Sequence, residues 1–93
     1  MTDSIICNEK RCFVCGKEDP ICVHHCLHGW GRRQKADLYG CWVYLCPDCH
    51  TGPRGVHFNK QLDKKLKEIS QTAWEERYGS RQAFINEFGR SYL

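Results

Sequence analysis

Two cysteine pairs with the same spacing constrain this chain more than any other feature. Each pair is a Cys-x-x-Cys motif, and 30 residues separate the two motifs, which contain Cys12, Cys15, Cys46 and Cys49. A Cys-x-x-Cys turn places two thiolates on one side of a metal ion, and Zn²⁺ binds four such ligands at tetrahedral angles. The four cysteines therefore predict a structural zinc site. Because the intervening segment is longer than is usual between such pairs, we expect it to form a structural unit of its own.

Because the chain is short, we expect its fold to need a stabilising element such as a zinc site. A chain of 93 residues has room for one domain with a thin core. Eight cysteines would also suit a disulfide scaffold, but that interpretation requires secretion. Residues 1–7 have no basic start and no long apolar run, so no signal peptide is predicted, and no segment is long enough to cross a bilayer. We therefore expect a cytoplasmic chain whose paired thiolates bind zinc.

Glycine and proline in residues 51–55 separate a cysteine-rich N-terminal part, the front part, from a C-terminal part with helical patterning, the back part. In the front part, residues 21–27 and 41–45 are short segments rich in β-branched, aromatic or cysteine residues, and glycine or proline bounds them. These features predict two strands of a hairpin with a long loop. Three of the four unpaired cysteines, Cys22, Cys26 and Cys41, lie in these strands. A second zinc site is one interpretation, but such cysteines more often pack as small apolar residues.

The back part has the periodicity of helices. Apolar residues recur every three or four positions from Phe58 to Tyr78, which predicts an amphipathic helix. Ser80 is suited to cap a second, shorter helix, and Gly89 is suited to end it. We therefore expect an α+β fold. Residues 1–11 form a tail in this interpretation, and residues 12–93 form one domain, with a zinc-bound core in residues 12–57 and helices in residues 58–93.

The five histidines are placed unusually for a structural zinc module. His24 and His25 are adjacent on a predicted strand, His50 follows the last cysteine of the second pair, and His57 precedes the long helix. Imidazole is both a metal ligand and a base near neutral pH, and hydrolysis of a phosphodiester requires both roles. Neighbouring strand residues face opposite ways, so His24 and His25 can share one site only where the strand ends or bulges. The alternative is that both are packed or bind the structural zinc.

Basic residues concentrate in one segment, although the formal net charge is only +3. Residues 28–35 contain Arg32, Arg33 and Lys35 without an acidic residue, and Gly29 and Gly31 make this segment adaptable. This pattern fits a contact surface for a polyanion and a solvated hairpin tip equally well.

Four short motifs carry a resemblance to a known family. They are Cys12-x-x-Cys15, Val23-His24-His25, Leu45-Cys46-x-x-Cys49-His50 and Gly55-Val56-His57. Together they resemble the HNH endonucleases of the ββα-metal, or His-Me finger, class. Residues 44–47 and 88–93 resemble more narrowly the small HNH proteins encoded by bacteriophages. The resemblance spans residues 12–93 and implies a small ββα-metal domain in which a four-cysteine zinc site clasps the long-looped hairpin.

The resemblance also implies a role for each histidine of these motifs. His25 takes the place of the general base, and His24 takes the preceding place, which binds the catalytic metal. His50 falls where the family has a second metal ligand. His57 would be a third ligand if the turn at residues 51–55 brings it back toward the hairpin. Whether His50, His57 or both bind the metal is left open.

One position of the family pattern is missing. The middle residue of the family is usually an asparagine, and no asparagine lies between His25 and His50. Asp37 or Gln34 could orient the loop instead, and the sequence favours neither. His28 could be a neighbour of the site or only a loop residue, and the sequence favours the loop residue.

The implied activity is metal-dependent hydrolysis of DNA phosphodiester bonds in the cytoplasm of a bacterial host. Phosphate contacts that read no bases are expected from four basic residues, Arg32, Arg33, Lys35 and Arg54. DNA is the expected partner, and a protein partner that supplies specificity is a further expectation. The alternative function is a zinc-stabilised module without catalysis that binds nucleic acid or protein.

The ligand chemistry adds a prediction about the catalytic metal. An imidazole set favours Zn²⁺, Ni²⁺, Co²⁺ or Mn²⁺, whereas Mg²⁺ prefers oxygen ligands and retains most of its water. We therefore expect structural Zn²⁺ together with a catalytic divalent metal, for which Mn²⁺, Ni²⁺, Co²⁺ or Zn²⁺ is favoured over Mg²⁺.

Overall fold

The computed structural model describes residues 2–29 and 31–93. Its elements in chain order are β1 (Cys22–His25), α1 (Arg32–Tyr39), β2 (Trp42–Leu45), α2 (Pro47–His50), α3 (Lys60–Arg77) and α4 (Arg81–Phe88). The predicted α+β class is confirmed, with an antiparallel hairpin, a long helix and a shorter C-terminal helix. None of the helices in these two ranges has the length and apolarity needed to cross a bilayer.

The hairpin joins two four-residue strands. β1 pairs with β2 in an antiparallel register in which Cys22 lies opposite Leu45 and His25 lies opposite Trp42. The long loop between the strands is not irregular throughout, because it contains α1. Gly31 adopts a left-handed conformation with φ of 76° before the helix begins at Arg32. Trp30, which falls within the predicted adaptable segment, lies outside the described residues.

The interior consists of two apolar clusters that α3 connects. The first cluster contains Cys12, Cys26, Val43, Leu45, Cys46, Val56 and Leu66. The second contains Leu27, Ala36, Cys41, Trp74, Phe84 and Phe88. Leu66 and Trp74 lie two turns apart on α3, so one face of this helix contributes to both clusters. The core is therefore divided into a part around the cysteine pairs and a part under the C-terminal helix.

Side-chain caps define where the two C-terminal helices begin. The Asn59 side chain accepts a hydrogen bond of 3.1 Å from the Leu62 amide, so α3 begins two residues later than the apolar periodicity predicts. Phe58 is therefore outside the helix and 71 % exposed. The predicted caps of α4 are confirmed. The Ser80 hydroxyl accepts a hydrogen bond of 3.2 Å from the Ala83 amide, and Gly89 ends the helix with φ of 86°.

The N-terminal segment lies against the hairpin. The Ser4 hydroxyl donates to the Trp42 carbonyl oxygen over 2.6 Å, and the Trp42 indole N–H donates to the Thr2 carbonyl oxygen over 2.8 Å. The Ile5 amide donates to the Gly40 carbonyl oxygen over 2.9 Å. These bonds satisfy polar groups along the start of β2.

We expect Phe84→Ala to destabilise the protein by about 3–5 kcal/mol, because it removes a large side chain from a close-packed cluster. Phe84 is fully buried, and its ring lies 4.7 Å from that of Phe88 and 5.5 Å from that of Trp74. Phe58→Ala is the matched control and should change the free energy of unfolding by less than about 0.5 kcal/mol. Urea unfolding measures both changes. Equal decreases in the free energy of unfolding of the two variants would contradict the assignment of Phe84 to the core and Phe58 to the surface.

Candidate metal centres

Four cysteines form the first candidate metal centre, which we call the cysteine group. Its members are the predicted Cys12, Cys15, Cys46 and Cys49, and their sulfur atoms all lie within 4.8 Å of one another. The Sγ atoms of Cys15 and Cys46 are 3.6 Å apart. Two thiolates bound to one zinc ion at tetrahedral angles lie about 3.8 Å apart, given Zn–S bonds of about 2.3 Å. The cysteine group therefore has the geometry of a structural metal site such as a zinc site.

Backbone contacts hold the two cysteine pairs together. The Phe13 amide donates to the Tyr44 carbonyl oxygen over 2.7 Å, which places the first pair beside β2. Cys46 follows β2 directly and is the N-cap residue of α2, so the second pair spans the first turn of that helix. The ends of the hairpin thus bring together residues that are far apart in the sequence.

The electrostatics of the cysteine group are compatible with a bound cation. Burial alone would raise the pKa of Cys12, but the amide groups of Cys15, Cys46 and Val14 outweigh it and lower the pKa to about 6. Burial raises the pKa of Cys49, and the neighbouring thiols of Cys46 and Cys12 raise it further. The pKa of Cys12 falls because backbone amides stabilise its thiolate, whereas the pKa of Cys49 rises because burial and the neighbouring cysteines disfavour a second thiolate. A bound cation removes this conflict, since it stabilises all four thiolates.

Three imidazoles form the second candidate centre, which we call the histidine group. His24, His50 and His57 each direct one possible ligand atom into a space in which these atoms lie within 4.8 Å of one another. The Nε2 atoms of His50 and His57 are 2.9 Å apart. The ring centroid of His24 lies 5.2 Å from that of His50 and 5.6 Å from that of His57. The group could therefore hold a metal ion through His24 together with both His50 and His57. The sequence had left open whether one or both of the latter two take part.

The state of His24 supports this interpretation. Its side chain is buried, and its Nε2 atom has no hydrogen-bond partner among the described residues. Burial lowers the pKa of His24 to about 4, and the neighbouring His50 and His57 add to this effect. Burial also lowers the pKa of His50. Neutral imidazoles offer the lone pair that a metal requires, and a buried unpaired nitrogen is costly until it gains a partner.

A tight loop returns His57 to the hairpin. The Val56 amide donates to the Cys49 carbonyl oxygen over 2.8 Å, and the His57 amide donates to the His50 carbonyl oxygen over 3.2 Å. A Cβ atom on Gly55 would lie 2.7 Å from the same His50 oxygen. The loop therefore needs glycine at this position to lie directly on α2. The turn at residues 51–55 therefore brings His57 back toward the hairpin, which is the condition that the sequence analysis set for His57 as a third ligand.

His25 lies beside the histidine group and pairs with Asp37. Its Nε2 atom is 2.9 Å from Asp37 Oδ1, and its side chain is 15 % exposed. His25 is the last residue of β1, so the geometric requirement for adjacent histidines to share one site is met at a strand end. Asp37 comes from α1, a helix that the sequence did not predict. Of the two candidates for an orienting residue, the structure places Asp37 in contact with His25.

An open cleft connects these side chains. It has a volume of about 240 Å³ and is lined by Val23, His24, His25, His28, Arg33, His50 and His57. His28 was interpreted as a loop residue, yet it lines this cleft and its Nε2 atom lies 3.0 Å from Asp63 Oδ1. Burial opposes the ionisation of Asp63, but hydrogen bonds from Lys67 and His28 outweigh it and lower the pKa of Asp63. A contact between residues 35 positions apart leaves no signal in a single sequence, so the sequence could not choose His28 as a neighbour of the site.

The predicted basic residues have different surroundings. Arg33 lines the cleft, and Arg54 is exposed on the loop after α2. Arg32 instead donates to the Tyr92 hydroxyl over 3.3 Å, and the Lys35 ammonium lies 3.3 Å from a Glu87 carboxylate oxygen. Helical geometry explains this division, because consecutive residues of α1 point in different directions.

The four remaining cysteines take different places. Cys26 and Cys41 are fully buried, as expected for apolar packing, and burial raises the pKa of Cys41 to about 11. Cys7 packs at the edge of the first cluster, and Cys22 contacts His50. Within the described part of the chain, none of these four belongs to a group that could hold a metal ion.

No known protein family, curated protein or solved structure matches this chain.

We expect the purified protein to bind one zinc ion tightly, and we expect Cys49→Ser to lose it. Loss of one thiolate leaves the other three without the fourth ligand that closes a structural site. Elemental analysis after dialysis measures the zinc content, and circular dichroism follows the fold. A strong chelator should unfold the wild-type protein, because folding and zinc binding are coupled.

Cys7→Ser is the matched control, because Cys7 is also partly buried but lies outside the cysteine group. It should retain both zinc and fold. Wild-type protein that stays folded and free of zinc in the presence of the chelator would contradict the assignment.

Proposed function

We propose that this chain is a metal-dependent endonuclease of the HNH type that hydrolyses DNA phosphodiester bonds. The observation that carries the proposal is that His25, paired with Asp37, opens onto the same cleft as the histidine group. A nuclease of this kind needs a proton acceptor beside a cation site, both open to a long polymer. The alternative, a binding module with structural histidines, gives no reason for this arrangement.

His25 serves as the general base in this proposal. Asp37 accepts a hydrogen bond from His25 Nε2–H, which leaves the lone pair on Nδ1 free to take a proton from water. A carboxylate on one imidazole nitrogen fixes the tautomer and makes the other nitrogen a better base. The water oxygen then bonds to phosphorus as the bond to the 3′ oxygen breaks. The departing 3′ oxygen takes up a proton from solvent water, and His25 returns to solvent the proton that it took from the attacking water. The products are 5′-phosphate and 3′-hydroxyl ends.

His24, His50 and His57 would hold the divalent cation. When bound, this cation supplies positive charge to the scissile phosphate and to the departing oxygen. The three imidazoles fix its position relative to His25, since His24 and His25 are neighbours at the end of β1. The absence of carboxylate ligands in the group favours a borderline cation over Mg²⁺.

Two basic residues suit contact with the DNA backbone. Arg33 lines the cleft, and Arg54 is exposed on the loop that precedes His57. Arginine binds phosphate oxygens through a planar pair of donors, which positions the duplex without reading its bases. We assign a smaller part to Arg32 and Lys35, because contacts with Tyr92 and Glu87 already engage them.

We expect His25→Ala to reduce the cleavage rate of supercoiled plasmid DNA by about 10²–10⁴-fold, the usual contribution of a general base. DNA affinity and zinc content should stay close to those of the wild type, because His25 belongs to neither metal group. Gel assays of nicking, filter binding and elemental analysis measure the three quantities.

Chemical rescue gives this experiment a control. Added imidazole should restore part of the activity of His25→Ala, since it replaces the missing base, but it should not restore the activity of His24→Ala. Cleavage by His25→Ala at the wild-type rate would rule out the assigned base. Zinc-loaded wild-type protein that never cuts DNA with any added divalent metal would instead favour the binding module.

We expect Mn²⁺, Ni²⁺ or Co²⁺ to support cleavage better than Mg²⁺, because three imidazoles suit borderline cations. A series of metals added to zinc-loaded protein, with initial nicking rates as the readout, makes the comparison. His57→Ala serves as the reference variant and should weaken the response to all of these metals. Clearly faster cleavage with Mg²⁺ than with the other cations would contradict a histidine site.

A further inference from the structure

Cys22 lies between the two metal groups, and neither group includes it. It is the first residue of β1 and sits opposite Leu45, the residue that precedes Cys46. Its Sγ atom is 3.3 Å from the Leu45 carbonyl oxygen and 3.3 Å from His50 Nδ1. The sulfur is therefore close to two polar atoms with different hydrogen-bonding abilities.

These two contacts together fix the direction of each hydrogen bond. A carbonyl oxygen can only accept, so the contact with Leu45 requires Cys22 to donate its S–H. A thiol has a single hydrogen, and the sulfur is then an acceptor toward His50. His50 must therefore carry its proton on Nδ1. In a neutral imidazole, the other nitrogen then has a free lone pair.

We propose that Cys22 is a positioning residue that holds His50 in the Nδ1–H tautomer and so directs the Nε2 lone pair into the histidine group. The inference rests on the metal site of the proposed function, but it does not require nuclease activity. A metal-binding histidine usually donates its second N–H to a carboxylate, a backbone carbonyl or water, and a thiol performs that task here.

The position of His57 agrees with this tautomer. His57 Nε2 lies 2.9 Å from His50 Nε2, on the opposite side of the His50 ring from Cys22. Without a cation, 2.9 Å is a hydrogen-bond distance, at which His57 Nε2–H can donate to the lone pair of His50 Nε2. Two imidazole nitrogens on one tetrahedral cation lie about 3.3–3.4 Å apart, given metal–nitrogen bonds of about 2.0–2.1 Å, so a bound cation would replace that proton after a small shift. A proton on His50 Nε2 would instead block the nitrogen. Cys22 keeps the proton on the other side of the ring.

The first test measures the tautomer directly. Long-range ¹H–¹⁵N correlation spectra distinguish Nδ1–H from Nε2–H imidazoles, and mildly alkaline pH keeps histidines neutral. The sample is the full chain with one equivalent of Zn²⁺, which the thiolates of the cysteine group take first. We expect His50 in the Nδ1–H form in the wild type and in Cys22→Ser, whose hydroxyl can also donate and accept. In Cys22→Val, the Nε2–H form should become populated.

The second test measures Mn²⁺ binding to the same zinc-loaded samples by calorimetry. Loss of a partner of this kind typically weakens metal binding by about 10–100-fold, and we expect at least about tenfold for Cys22→Val. Cys22→Ser should bind Mn²⁺ with nearly the wild-type affinity. Cys7→Ala is the matched control, because Cys7 is similarly buried and its thiol contacts Ser4 rather than a histidine.

An Nε2–H form of His50 in the wild type would overturn the inference, whatever the stability of the variants. Equal Mn²⁺ affinities in the wild type and Cys22→Val would overturn it as well. The outcome is separable from that of the proposed function. Mn²⁺ binding that depends on Cys22, in a protein that never cuts DNA, would uphold the inference and refute the nuclease.

Discussion

The convergence of four cysteines on one point is the constraint on which the rest of the structure depends. Cys12 and Cys15 lie within reach of Cys46 and Cys49, and a cation bound among them would offset the repulsion between their thiolates. Once they meet, the two ends of the hairpin are fixed and α2 has a defined start. The same short helix ends at His50, so one turn of backbone carries candidate ligands of both groups. The cysteine group therefore positions His50, one of the three members of the histidine group.

Features governed by local spacing were predictable from the sequence. The Cys-x-x-Cys pairs indicated the four cysteines that come together, because each motif is a short turn. The long helix followed from apolar periodicity, and Ser80 and Gly89 marked the ends of the short helix correctly. The start of the long helix was misplaced by two residues, because the side chain of Asn59 caps the helix at a point that apolar periodicity does not indicate.

Features governed by contact between distant residues were not predictable in the same way. The sequence left Gln34 and Asp37 as equal candidates, and only the presence of α1 brings Asp37 to His25. The pairing of His28 with Asp63 joins the hairpin loop to α3, and nothing in either segment alone indicates the other. The sequence left the basic segment open between a contact surface for a polyanion and a solvated hairpin tip. In the structure, Arg33 lines the cleft, whereas Lys35 lies beside Glu87.

The loop between α2 and α3 lies so close to α2 that it has no room for side chains at two positions, and this affects where His57 lies. A methyl group on Gly52 or Gly55 would lie within 2.6 Å or 2.7 Å, respectively, of a carbonyl oxygen of α2. Neither glycine has a side chain that could touch a cation, yet together they set how far His57 reaches. The close approach of the loop backbone to α2 therefore sets the distance of His57 from the other two imidazoles. Ion selectivity could be retuned by lengthening this loop while every donor atom is kept.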